Sequence, residues 1–73
     1  MSTIKISFNG QFHEIAQGTT LEDAMRAFAP EAIEAGVPIA SAVNGQHVAR
    51  QARGGVVLGN QDAITTFEPI TGG

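Results

Sequence analysis

The chain has 73 residues, no cysteine and a formal net charge of −3. A chain of this size buries only about 60% of its unfolded surface, so packing and backbone pairing must stabilise it without a disulfide or thiolate metal site, and there is little room for an internal catalytic pocket. Four cations, Lys5, Arg26, Arg50 and Arg53, against seven carboxylates argue against nucleic acid, and no apolar run approaches the ~20 residues of a membrane span or signal segment. The expectation is a soluble, cytoplasmic domain over 1–73, without metal or membrane, acting as carrier or adaptor and not as a stand-alone enzyme.

Ile4, Ile6 and Phe8 alternate with Lys5 and Ser7, the period of a half-buried strand. Asn9-Gly10 follows, a two-residue hairpin turn whose central residues both take positive φ. That turn sets the register: Phe8 opposite Gln11, Ser7 opposite Phe12, Ile6 opposite His13, Lys5 opposite Glu14, Ile4 opposite Ile15. Ile4–Ile15 then lies on the core side, Lys5–Glu14 on the solvent side, and Phe12 points away from the core.

Gly18-Thr19-Thr20 opens a helix, capped either by Thr19 with Glu22 or by Thr20 with Asp23, both acids suiting the positive end of the helix dipole. Leu21, Ala24, Met25 and Phe28 form one apolar stripe. Pro30 stops this helix, and Glu31–Ala35 adds a short second one ending at Gly36. Ile39–Val43 reads as a strand, Asn44-Gly45 as a second hairpin turn, and Gln46–Ala49 as the returning strand. Arg50–Gly55 reads as a loop, Val56–Leu58 as a short apolar segment, Gly59–Asp62 as a turn, and Ala63–Phe67 as the final strand. Helical segments on one face of a sheet of four to five strands make an α+β layer.

If Ile64 and Thr66 face the helix, Thr65 and Phe67 face outward. Phe12, Ser7 and Phe67 are then expected near one another on the open sheet face. Exposed Phe12 and Phe67 are candidate docking residues for a partner protein. His13 and His47 stand on separate hairpins with no third ligand, which fits structural or surface roles better than a metal site. Gly54-Gly55 lacks the Lys-Ser/Thr of a phosphate loop. After the final strand comes Glu68-Pro69-Ile70-Thr71-Gly72-Gly73, in which Pro69 fixes φ and the two glycines carry no side chain to block a narrow channel. From Pro69 onward the tail spans at most ~17 Å extended.

These segments together resemble the small sulfur carriers of the ThiS and MoaD families. Ile6-Ser7-Phe8-Asn9-Gly10-Gln11 is similar to the first hairpin of the thiamine carriers, and Gly18-Thr19-Thr20-Leu21 to their Gly-x-Thr-Val helix start. Ala42-Val43-Asn44-Gly45 resembles a hairpin common to both families, and Pro69-Ile70-Thr71-Gly72-Gly73 is closer to the molybdopterin type. The Pro-Arg-x-x-Trp of many thiamine carriers is replaced here by Ala49-Arg50-Gln51-Ala52-Arg53, and their Gly-Asp turn by Gln61-Asp62.

The resemblance implies a ubiquitin-like β-grasp fold with the first and last strands parallel beneath the helix. It implies that an adenylyltransferase of the ThiF/MoeB type, using ATP, adenylates the Gly73 carboxylate, and that a sulfur donor converts the adenylate to a thiocarboxylate. Gly72, Thr71, Ile70 and Pro69 would thread the partner's active site. The recipient would be a thiazole synthase of the ThiG type in thiamine biosynthesis. The alternatives are the large molybdopterin synthase subunit, another sulfur-metabolite pathway, a ubiquitin-like protein modifier, or an inert β-grasp adaptor.

Overall fold

A computed structural model describes residues 2–34 and 39–67. In chain order they form β1 (Thr3–Phe8), β2 (Gln11–Ala16), α1 (Leu21–Phe28), α2 (Pro30–Glu34), β3 (Ala40–Val43), β4 (Gln46–Val48), a 3₁₀-helix (Arg50–Gly55) and β5 (Ala63–Phe67). The five strands make one sheet in the order β2-β1-β5-β3-β4. β1 and β5 run parallel, and the other neighbours are antiparallel.

Both hairpins close as their Asn-Gly pairs demand. Asn9 and Gly10 have φ of 51° and 86°, Asn44 and Gly45 of 53° and 81°, the positive pair that a type I′ turn requires. A two-residue turn leaves no slack, so the β1–β2 ladder has the predicted register, from Ile4 opposite Ile15 to Phe8 opposite Gln11.

One side of this sheet is covered by α1. Ile4, Ile6 and Phe8 of β1, Ile64 of β5 and Leu58 pack with Leu21, Ala24 and Met25 of the helix as a single buried cluster. Phe28 completes the stripe at its margin, tilted against Phe8 with ring centroids 5.4 Å apart and stacked on His13 at 4.0 Å. His13 is thus a packing residue.

The cap of α1 is Thr20, whose hydroxyl accepts from the Asp23 amide at 3.2 Å. Thr19 instead donates its hydroxyl to the Ala16 carbonyl at 2.7 Å, closing the turn that leads in from β2. The N-terminus of α1 is tied down further by Val56–Leu58. The Leu21 amide donates to the Val56 carbonyl at 2.8 Å and the Leu58 amide to the Thr19 carbonyl at 2.9 Å.

Several boundaries differ from expectation. Pro30 does end α1, but it is also the first residue of α2, where a missing N–H costs nothing. The predicted helix end at Gly36 lies outside the described residues. β3 starts at Ala40 and not Ile39, and β4 ends at Val48 and not Ala49. Arg50–Gly55, read as a loop, is a 3₁₀-helix. Among the described residues, no helix is long and apolar enough to cross a membrane.

Candidate functional site

Strand alternation and register determine what the uncovered side of the sheet presents. Ser7 pairs with Phe12 on β2 and with Ala63 on β5, so all three share that side. Ala63, Thr65 and Phe67 alternate along β5, Thr65 pairs with Ala42 and Phe67 with Ala40, and His47 pairs with Ala42 from β4. The floor between β1 and β3 is therefore built from small side chains. Larger groups stand around it: Phe12, 73% exposed, Phe67, 49% exposed, and the exposed His47.

The outward orientation of Phe12 and Phe67 agrees with the sequence reading, but their spacing does not. Phe67 lies two strands from Phe12, and four residues further along β5 than Ala63, the neighbour of Ser7. Ideal strand spacing makes this roughly 10 Å across and 13 Å along. Phe12 and Ser7 are neighbours, whereas Phe67 stands apart at the far end of the same face. Lys5 reaches over Phe12, with Nζ 5.4 Å from the ring centroid, a cation–π contact on the exposed ring. What the face offers is contact: two separated aromatic rings, a cation held on one of them, and a flat floor between.

Phe67 is placed by its pairing with Ala40 of β3, and on the other side the β1–β5 ladder is extended as far as Thr66. The strands pair directly only at Ser7–Ala63 and Phe8–Ile64. Beyond that, the Asn9 amide N–H donates to the Ile64 carbonyl at 2.8 Å, and the Asn9 side chain replaces a missing strand. Its Oδ1 accepts from the Thr66 amide and its Nδ2 donates to the Thr66 hydroxyl, each at 2.8 Å. The second hairpin grips the other end of β5 in the same manner. Asn44 Oδ1 accepts from the Ala63 amide and Asn44 Nδ2 donates to Asp62 Oδ1, both at 2.9 Å. Gly73, Gly72, Thr71, Ile70 and Pro69 lie outside the described residues.

One residue that supports the face went unnoticed in the sequence. Arg53 is 3% exposed. Its Nε donates to Ser41 Oγ at 3.0 Å and its Nη2 to the Ile39 carbonyl, bracing β3 from the 3₁₀-helix. Ser41 passes the contact on to the Val48 carbonyl at 3.4 Å. Burial pushes the Arg53 guanidinium below the ordinary arginine range, Arg50 adds to this, and Glu22 opposes it. The only available signal was a charge in a segment without apolar periodicity, and that signal resembles a solvated loop.

The ThiS family model matches residues 6–73. Among solved structures, that of a thiamine biosynthesis protein, ThiS, from Geobacter metallireducens superposes with a TM-score of 0.77 at 18% identity, covering 96% of this chain and 100% of that one. The shared architecture is the β-grasp fold. No curated protein sequence matches this chain.

Proposed function

Because the chain belongs to the ThiS family, we propose that it is a sulfur carrier whose Gly73 carboxylate is the reacting group. The single observation that supports this most is the family match, which runs through the glycine tail to residue 73. A carboxylate is a poor electrophile, and activation answers that. A ThiF/MoeB-type adenylyltransferase joins a Gly73 oxygen to the α-phosphorus of ATP and releases pyrophosphate. A donor at the oxidation level of sulfide then displaces AMP and leaves a thiocarboxylate. The carrier itself supplies no catalytic group and binds no cofactor. It presents Pro69, Ile70, Thr71, Gly72 and Gly73 to the partner's channel while Phe12 and Phe67 dock the open face. The recipient is a ThiG-type thiazole synthase in thiamine biosynthesis, in the cytoplasm. A second reading, the small subunit of molybdopterin synthase, is favoured by one feature, the Pro69-Ile70-Thr71-Gly72-Gly73 tail.

Incubation with the activating enzyme, ATP and a sulfur donor tests the reading. The expected product is heavier by the exchange of one oxygen for sulfur, localised to Gly73. A variant extended by one residue beyond Gly73 stays unmodified. Equal modification of the extended variant overturns the reading, and formation of amide adducts on lysines of other proteins transfers it to a protein modifier.

A further inference from the structure

The sheet has two edges, and only one of them is blunted. β4 has three residues, whereas β2 has six, carries no proline or lysine and pairs with β1 without a bulge. Backbone direction alternates along these strands. The amides of Lys5, Ser7 and Asn9 donate toward the β5 side, to Asn60 Oδ1 and the carbonyls of Asp62 and Ile64. Ile4, Ile6 and Phe8 therefore bond across to Ile15, His13 and Gln11, and Phe12, Glu14 and Ala16 point their backbone groups off the sheet. The Ala16 carbonyl is taken by the Thr19 amide and hydroxyl. The backbone groups of Phe12 and Glu14 have no partner among the described residues. We propose that this edge is an interface with a second copy of the chain, β2 against β2, antiparallel about a twofold axis at His13.

Only outward-pointing residues can exchange backbone bonds across such an axis, and this selects the register. An axis at Glu14 sets two carboxylates face to face, and one at Ile15 needs the Ala16 carbonyl, which is taken. An axis at Phe12 makes Gly10 the next bonded residue, and Gly10 sits in the turn at φ 86°. With the axis at His13, Phe12 of each copy meets Glu14 of the other, and each of those pairs exchanges both N–H···O=C bonds. The side chains agree. Phe12, Glu14 and Lys5 share the open face, and Lys5 Nζ lies 5.4 Å from the Phe12 centroid. Glu14, opposite Lys5 across the hairpin, makes no ion pair with it. Glu14 of the second copy, seated beside Phe12, brings its carboxylate next to that ammonium, and symmetry repeats the contact.

Because the chain has no cysteine, single cysteines report the register without background. His13→Cys places two thiols at a non-hydrogen-bonded pair on the axis, where Cα atoms lie ~4.5 Å apart, within disulfide reach. Under a mild oxidant the full chain carrying it should give a covalent dimer. Gln11→Cys, about 13 Å from its counterpart in this register, should not. Sedimentation equilibrium of the parent chain should show monomer and dimer in exchange. Glu14→Lys should lower the association constant about tenfold, and Lys5→Glu combined with Glu14→Lys should restore it. Should loss of the stack between His13 and Phe28 unfold His13→Cys, the charge reversal and its rescue decide alone. A parent chain that stays monomeric up to millimolar concentration overturns the proposal and leaves this edge to a strand of another protein. Equal cross-linking of the two cysteine variants overturns it as well, as does a charge reversal without effect.

Discussion

Arg53 and Ser41, twelve residues apart in sequence, meet in the interior through an Nε–Oγ hydrogen bond of 3.0 Å with both residues buried. A guanidinium without water keeps its charge only where its N–H groups find acceptors. Ser41→Ala leaves Nε facing a methyl group and is expected to cost about 1–3 kcal/mol. Arg53→Met fills much of the same volume but abandons Ser41 Oγ and the Ile39 carbonyl, for a loss of about 2–3 kcal/mol. The double variant should be less destabilised than the sum of the two, because each change removes the same bond. Denaturant midpoints on the four proteins check this, and strict additivity would show that the bond contributes nothing of its own.

The helix cap yields a narrower expectation. Thr20→Ala should destabilise by about 1 kcal/mol through loss of the bond from the Asp23 amide, and Thr20→Ser should recover most of it. Equal midpoints for Thr20→Ala and the parent would mean that the isolated bridge between Thr20 and Val57 secures the helix start without the hydroxyl.

Met25 is fully buried against β1 and β5. Met25→Ala should cost about 2–5 kcal/mol, the spread depending on how far the site collapses. A neutral result in chemical denaturation would contradict the packing of α1 on the sheet.

Phe12→Ser and Phe67→Ser test recognition apart from folding. Both rings lie on the uncovered face, so each change should shift stability by no more than about 0.5 kcal/mol. Binding to the activating enzyme or the recipient synthase should weaken by about 2 kcal/mol for each, and the two losses should add, because the rings are too far apart to touch one partner side chain together. Calorimetric titration beside thermal melts separates the two quantities. Unchanged affinity in both variants would remove this face from the interface.

Local chemistry carried most of the architecture in the sequence. Asn9-Gly10 dictates a register, and that register alone places Phe12 outside. The Leu21–Phe28 stripe named the buried face of the helix. What stayed hidden depended on partners remote in sequence. Arg53 is ordered by acceptors 12 and 14 residues away, and no periodicity marks such a residue. The distance from Phe12 to Phe67 follows from the stagger of the parallel β1–β5 pair, which no turn specifies. Alternation reported which way each ring points, and it could not report how far apart they stand. For Pro69 to Gly73 the residues themselves offer a thin, side-chain-poor terminus and the resemblance supplies its role, and these five residues lie outside the described ones.

The parallel pairing of β1 with β5 also orders events in time. Ser7 and Phe8 find their central-sheet neighbours in Ala63 and Ile64, 56 residues further on, so the two halves of the sheet stay unjoined until β5 reaches β1. Until then the first hairpin can close, but the inner edge of β1 has no mate. Long-range contacts of this kind slow folding and leave strand edges open to other chains in the interval. β5 is the strand that closes the gap, since it lies between β1 and β3 and its docking covers the inner edges of both at once.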